Sequence, residues 1–315
     1  MSKISSSNFL NETKNKLVIL LYHGVTSYEN IGICNRQGKH SPDNVFKEQM
    51  IFIKENCTPL SVNDWIKLRK SKRIPKNPVI VTFDDGFKNN FTTAMPILDE
   101  LDIPAIFYIS AGMIGTEKMF WVDILEDVLN RTTERSIKLK LNEDIQFNLS
   151  TDDKKFEALL VIKSFCKSTT NEAKERVIKD LIIATKIDPS CHMNPNYMSM
   201  NWEELRQIDK HDLFTIGGHS LNHNILSSLE SIDLKYEVSE SLRILEEKLN
   251  HKIFHYSYPE GQMNHYNEEV VQLLKDYNIV CSPSAIDGIN DFGDDLFHLK
   301  RIMPGFDGIK FPYIF

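Results

Sequence analysis

Short apolar runs alternate along this chain with segments of helical periodicity, and that rhythm is what most narrows the folds open to it. The runs are Leu17–Leu21, Val79–Phe83, Ala105–Ile109, Phe214–Ile216, Phe254–Tyr258 and Ile279–Cys281, with Phe297–Met303 as a further candidate. Each ends in polar or glycine residues, as strands buried on both faces do. Between them, Phe91–Leu101 sets Ala94, Ile97, Leu98 and Leu101 on one helical face, and Leu234–Leu249 does the same with Leu234, Val238, Leu242, Leu245 and Leu249. Asn201 with Glu204 has the form of a capping box ahead of Leu205 and Ile208. Buried strand and amphipathic helix in alternation imply an α/β fold with a largely parallel sheet. Period alone does not separate a closed barrel from an open sheet.

From about 130 to 200 the rhythm breaks. Ser136–Leu141 and Asp144–Leu149 alternate like the arms of a hairpin around Asn142-Glu143, and two charged helical segments follow at Asp152–Lys167 and Asn171–Lys186, then a loop at Pro189–Asn196. We expect one catalytic domain over residues 1–315 with this stretch as an inserted α+β subdomain.

Charge and cysteine usage bound the partners. The formal net charge of −7 leaves no cationic surplus for phosphate neutralisation, so no nucleic-acid partner is expected. The cysteines at 34, 57, 166, 191 and 281 are scattered without a CxxC pair, which fits reduced thiols and a cytoplasmic location. The first apolar run, Leu17–Tyr22, is too short for a membrane span or a signal segment, so no integral membrane segment is expected.

Chemistry-bearing residues gather where the expected strands end, which is where parallel α/β folds build sites. The first group is Thr82-Phe83-Asp84-Asp85-Gly86. Neighbours on a strand point to opposite faces, so a bend at Gly86 is needed for both carboxylates to reach one cavity. There one could bind a metal and the other act as a base; as a bare tripeptide, Asp-Asp-Gly is also ordinary turn chemistry. The second group is Gly217-Gly218-His219-Ser220-Leu221-Asn222-His223. If this segment starts a helix, the two histidines share a face and can present two imidazoles to one zinc; otherwise they are unrelated loop residues. Asp plus His plus His leaves an open coordination position, the layout of a catalytic metal site. His23 ends the first strand and could share the cavity as an acid. Tyr258, Pro259 and Glu260 close a later strand, where a fixed turn could aim backbone N–H groups at an oxyanion or contact substrate.

These residues resemble the polysaccharide deacetylase family, the NodB-homology group of carbohydrate esterase family 4, over roughly residues 15–125 and 200–305. Thr82–Gly86 matches the TFDDG motif as it stands, and His219–His223 matches H-S/T-x-x-H. The resemblance implies a distorted (β/α) barrel, a divalent metal such as Zn2+ on Asp85, His219 and His223, and Asp84 as general base. It implies a hydrolase that removes acetyl from an N-acetylated amino sugar. Two motifs depart from the common pattern. The usual R-x-P-Y/F is Ser257-Tyr258-Pro259-Glu260 here, without the arginine that orients the base. The late histidine motif is matched only loosely by Phe297-His298-Leu299, whereas Tyr22-His23-Gly24 is similar to a permuted branch, the poly-N-acetylglucosamine deacetylases, whose histidine precedes TFDDG. His23 is therefore the expected acid, with His298 in reserve. With no export signal, the expected substrate is an intracellular carrier-linked precursor or glycan intermediate of surface polysaccharide. A metal-dependent amidase on a non-sugar C–N bond and a non-catalytic carbohydrate-binding homologue are the competing readings. The oligomeric state is not legible in the sequence.

Overall fold

The computed structural model describes residues 3–312. In chain order its elements are α1 (Lys3–Glu12), β1 (Val18–Tyr22), β2 (Gly24–Thr26), β3 (His40–Pro42), α2 (Asp43–Asn56), β4 (Thr58–Pro59), α3 (Val62–Ser71), β5 (Pro78–Phe83), α4 (Met95–Glu100) and β6 (Ala105–Ile109). These are followed by α5 (Trp121–Arg131), β7 (Ser136–Lys140), β8 (Asp144–Asn148), α6 (Asp152–Lys167), α7 (Asn171–Thr185), α8 (Trp202–Asp209), β9 (Phe214–Gly218), α9 (Ser231–Leu249) and α10 (Glu268–Asp276). The chain divides into two compact units. One holds residues up to 27, 37–116 and from 199 onward; the other holds 28–36 and 117–198.

The first unit is built on a parallel sheet of order β1-β5-β6-β9, with the short β4 beside the start of β5. The apolar runs form it because parallel strands covered on both sides need no polar face. Strand parity then sorts the side chains. Val18, Leu20, Val79, Val81, Phe83, Ala105 and Phe107 join the large core with residues of α2, α4, α8 and α9. Ile19, Ile80, Ile106 and Tyr108 point the other way, into a small core with Trp65, Cys281 and Leu299.

Beyond the sheet, hydrogen bonds carry the ring around to its start. Gly218 N–H donates to the His255 carbonyl and Tyr256 N–H to Cys281; Ser282 N–H donates to Leu296 and Ser284 N–H to Leu299; Ile302 N–H donates to Ile19 and Leu21 N–H to Ile302. The result is a distorted barrel, as expected. The segments 254–258, 279–281 and 297–303 are not the continuous strands their apolarity suggests; they meet their neighbours in single bridges. Pro259 cuts the first of them short by removing a donor. In the last, side chains take over ladder positions: Ser284 Oγ donates to the Leu299 carbonyl and Arg301 Nε to the Ser284 carbonyl.

The expected helix over Phe91–Leu101 opens with a π-helical turn at Asn90–Ala94 before α4 begins. Pro96 has no N–H to give the Thr92 carbonyl, so the α-helical ladder cannot run through that point. The capping box at α8 is complete: Asn201 accepts from the Glu203 and Glu204 N–H groups, and Glu204 accepts from the Asn201 N–H.

The second unit is wider than the 130–200 stretch expected to be inserted. It begins at Glu117, takes in α5, and recruits 28–36 from between β2 and β3. The hairpin pairs Ser136 with Asn148 through to Lys140 with Asp144. Its alternation puts Ile137, Leu139 and Phe147 into a core with Leu125, Leu129, Ile162, Val177 and Leu181. Ile33 belongs to that core, which is why the distant 28–36 stretch is part of the unit.

The paired glycines at the end of β9 are steric requirements. A Cβ on Gly218 would lie 2.7 Å from the ring of Tyr256, and one on Gly217 would lie 2.5 Å from the ring of Tyr108. Gly218→Ala should therefore destabilise the first unit by about 1–3 kcal/mol through overpacking, read as a lower denaturation midpoint in urea; an unchanged midpoint would contradict the packing.

Candidate metal centre and active site

The inner register of β5 runs Ile80, Thr82, Asp84, so the strand itself aims Asp84 into the barrel. Asp85 would face outward by the same parity. The backbone turns instead at Asp85, whose φ is +78°, and Gly86 follows at +93°. The bend thus begins one residue earlier than expected, and it brings both carboxylates to one place. Both are buried, with Asp84 3% and Asp85 5% exposed.

His219 and His223 do not lie on a helix. They sit on an irregular loop after β9, with Ser220 at φ +65° and His223 at φ +58°. Convergence comes from this turn rather than from i, i+4 helical spacing. Asp85 Oδ1 lies 3.2 Å from His223 Nε2 and 3.6 Å from His219 Nε2. One ligand atom from each of the three residues falls within 4.8 Å of the others.

The donor set fits a divalent transition metal. His219 Nδ1–H donates to the Ser257 carbonyl at 2.8 Å, which fixes the tautomer and leaves Nε2 as a lone pair facing the cluster. Burial pushes His219 below its ordinary pKa despite the nearby carboxylates, so the imidazole is neutral, as a ligand must be. Burial would depress His223 too, but the Asp85 carboxylate, followed by Glu260, holds it above its ordinary value. Burial would raise Asp85, yet the imidazoles, led by His223, keep its carboxyl far below the usual range. A buried anion tied this closely to two imidazoles is a place a cation can occupy.

The sequence shows no arginine beside Pro259, and the structure supplies one from elsewhere. Arg301, 1% exposed, enters from the segment that closes the barrel and makes a two-pronged contact with Asp84: Nη1 to Oδ1 at 2.8 Å and Nη2 to Oδ2 at 2.7 Å. Its remaining N–H groups reach Thr82 Oγ1, Ser257 Oγ and the Ser284 carbonyl. Burial would raise the Asp84 carboxyl, but the guanidinium outweighs it and keeps the group below its ordinary value. Asp84 Oδ2 lies 3.9 Å from His219 Nε2, so the arginine-held carboxylate borders the ligand cluster without joining it. Sequence reasoning missed Arg301. The one signal was its parity with Leu299, which packs in the small core: a cation on that face requires an anion, though the sequence does not say which.

His23, at the end of β1, belongs to the same electrostatic neighbourhood. Burial lowers its pKa to about 4 against the pull of Asp85 and Asp84. Its backbone carbonyl accepts from Asn90 Nδ2 at 2.8 Å, which ties it to the π-helical turn. His298, the reserve acid, is not brought in; its side chain is 44% exposed and pairs with Asp295 at 3.4 Å. Tyr258, expected at the substrate, is fully buried; its ring stacks on Tyr266 at 4.0 Å, and its hydroxyl donates to the Phe297 carbonyl. The apolar ring and its stacking partner make it a packing post. Pro259 is buried as well, and Glu260 is half-buried, with φ +59° and its charge felt at His223.

With this geometry in hand, the family comes from one comparison and the fold from another. The family model described as polysaccharide deacetylase matches residues 71–141 and 170–281. A poly-beta-1,6-N-acetyl-D-glucosamine N-deacetylase of Staphylococcus aureus is 24% identical over 124 residues, 39% of this chain and 38% of that protein. The chain thus matches well under half the length of the curated relatives it resembles. Among solved structures, the Streptococcus pyogenes deacetylase PplD in complex with acetate superposes with a TM-score of 0.59 at 16% identity, covering 94% of this chain and 94% of that one. IcaB from Ammonifex degensii gives 0.58 at 15% identity, covering 92% and 91%. At such identities the likeness is one of fold.

The buried pair yields a prediction. Arg301→Ala strands an ionised carboxylate and should cost about 3–5 kcal/mol of stability near neutral pH; Arg301→Lys keeps the charge but not the fork and should fall between. The folded-state pKa of Asp84 lies below its unfolded value of about 3.9, so the pair's stabilisation is present above that value and lost as pH falls through the folded one. The gap between wild type and Arg301→Ala should accordingly shrink on acidification. Urea denaturation across pH 3–7 measures it, and a gap independent of pH would refute the coupling.

Proposed function

The chain belongs to the polysaccharide deacetylase family, and on that premise we propose that it hydrolyses the acetamide of an N-acetylated amino sugar, with a divalent metal such as zinc held by Asp85, His219 and His223. The observation that carries this reading is the pairing of a buried three-ligand cluster with a separate carboxylate, Asp84, that Arg301 keeps ionised beside it.

When bound, the metal supplies Lewis acidity to the acetamide carbonyl and to the attacking water. Asp84 takes a proton from that water at Oδ2, the oxygen nearer the ligand cluster. The two-pronged contact with Arg301 holds the carboxylate in one orientation, so no reorganisation is needed at the moment of transfer. The backbone N–H of Glu260, on a turn fixed by the Gly261 N–H to Pro259 carbonyl bond, is the donor assigned to the developing oxyanion. His23 delivers a proton to the departing amine. Since burial keeps its imidazole neutral near pH 7, the proton it delivers reaches it during turnover and is balanced by the one the attacking water releases. Acetate and the free amino sugar are the products.

For the substrate, we place the sugar on a carrier-linked precursor or glycan intermediate of surface polysaccharide, handled in the cytoplasm. All five cysteines are free, which favours a reducing compartment. No helix among the described residues is long and apolar enough to cross a membrane. Acetate release from nucleotide-linked, lipid-linked and polymeric N-acetyl sugars tests the substrate class, and activity on polymers alone would defeat the precursor reading. Cyclic imides and small amides in the same panel test the amidase alternative.

Three outcomes are expected of the site. Asp84→Asn should retain zinc but lose deacetylation by about 100-fold or more, since an amide cannot take the proton; wild-type turnover would remove Asp84 from the base role. His23→Ala should lower turnover more than substrate affinity, while His298→Ala leaves both near wild type; the reverse result would reassign the acid. Zinc affinity should fall between pH 7.5 and pH 5, because His219 and His223 must be unprotonated to bind, and a chelator should abolish acetate release until zinc is restored.

A further inference from the structure

The loop carrying both histidine ligands is anchored residue by residue. His219 N–H donates to the Ile109 carbonyl, and the Ser220 and Leu221 carbonyls accept from the Ala111 and Gly112 N–H groups at 3.1 and 2.8 Å. Ser110 Oγ donates to the His219 carbonyl, and His223 N–H donates to Ser220 Oγ at 2.9 Å. These anchors lie within the loop or run to the continuation of β6. Asn222 is held from a different direction. Its backbone N–H donates to Glu237 Oε1 at 2.6 Å, and its side-chain Nδ2 donates to Glu237 Oε2 at 3.2 Å.

Glu237 is 3% exposed and stands on α9 between Leu234 and Val238, both in the large core. A buried carboxylate is costly unless its oxygens are used, and here both are spent on the residue immediately before His223. Charge-assisted acceptance from a backbone N–H is stronger than a neutral bond. The helix is a rigid post, further fixed by Leu242 and Leu245 in the same core. His223 itself sits at a left-handed φ that no regular ladder enforces. Displacing Asn222 therefore displaces the His223 ring, and the three-way convergence with Asp85 and His219 goes with it.

We propose that Glu237 is a positioning residue for the metal site: by clamping Asn222 to α9 it sets the placement of His223 and hence the affinity for the ion. The inference rests on the metal-site reading above. Supporting residues of this kind change metal affinity by about 10–100-fold when removed.

The test is zinc affinity, measured by competition with a chromophoric chelator on the full chain, alongside the thermal midpoint of the metal-free protein. Glu237→Ala should weaken zinc binding by about 10–100-fold. Glu237→Gln can still accept from the backbone N–H but sets an amide against Asn222 Nδ2, so its loss should be smaller and in the same direction. Leu245→Ala, a core lesion on the same helix, should lower the metal-free midpoint and leave zinc affinity unchanged. If Glu237→Ala does not fold, Glu237→Gln against wild type decides. Zinc affinities of both Glu237 variants equal to wild type, or a loss in Leu245→Ala as large as theirs, would reduce Glu237 to an ordinary structural residue and overturn the proposal. Failure of the wild type itself to bind zinc would sink the metal-site reading and this inference together, so the two failures are distinguishable.

Discussion

A guanidinium enclosed in a barrel of apolar side chains must meet an anion, and the pairing of Arg301 with Asp84 is the constraint around which the rest of the first unit is arranged. Below it the barrel interior is hydrocarbon, from Ile19, Ile80, Ile106 and Leu299. At its level the lining turns polar, with Thr82, Ser257 and Ser284 oxygens all directed at the arginine. Above it lies the ligand cluster. The same contact welds the closing segment to β5, so the bond that holds the barrel shut also keeps the neighbouring carboxylate ionised. Stability and chemistry draw on one interaction here.

At the site, as at several turns elsewhere, the backbone enters the left-handed region. Asp85, Ser220, His223 and Glu260 all have positive φ without being glycine. Such conformations cost free energy and persist only where surrounding contacts over-determine them. The contacts are Ser110 N–H on the Asp85 carbonyl, Ala111 N–H on the Ser220 carbonyl, Ser220 Oγ under His223, and the Gly261 N–H to Pro259 carbonyl bond that spans Glu260. A flexible loop could carry the same residues but not hold three ligand atoms in register.

Much of this was legible in the sequence because it rests on local rules. The apolar runs at 17–21, 79–83, 105–109 and 214–216 are strands within a residue or two, the hairpin and the helices α6 and α7 stand where alternation and charge place them, and Asn201 caps α8. Asp84, Asp85, His219 and His223 meet as their motifs imply. What escaped was set by distant contacts. Arg301 looked like one cation in a marginal strand, since nothing near it in sequence reveals the carboxylate 217 residues away. The left-handed turn at Asp85 and the irregular path between the histidines depend on hydrogen bonds from β6 and α9, which no periodicity encodes. Tyr258 lies in a suggestive motif, but its neighbours Tyr266 and Phe297 commit it to packing. Ile33 joins the second core across nearly a hundred residues, so the small 28–36 stretch could not be assigned to it in advance.

Arg301 follows Asp84 by 217 residues, and that separation imposes an order in time. A ribosome finishes Asp84, Asp85, His219 and His223 well before it reaches the residue that neutralises Asp84. Until then Asp84 lacks its guanidinium partner, and the segment that bonds back to Ile19 and Leu21 has not been made. A product ending short of residue 301 would keep every recognisable motif and still lack the means to close around it. The segment around residue 301, made after all four of those residues, therefore joins the enclosure of the interior to the pairing of Asp84 in a single step.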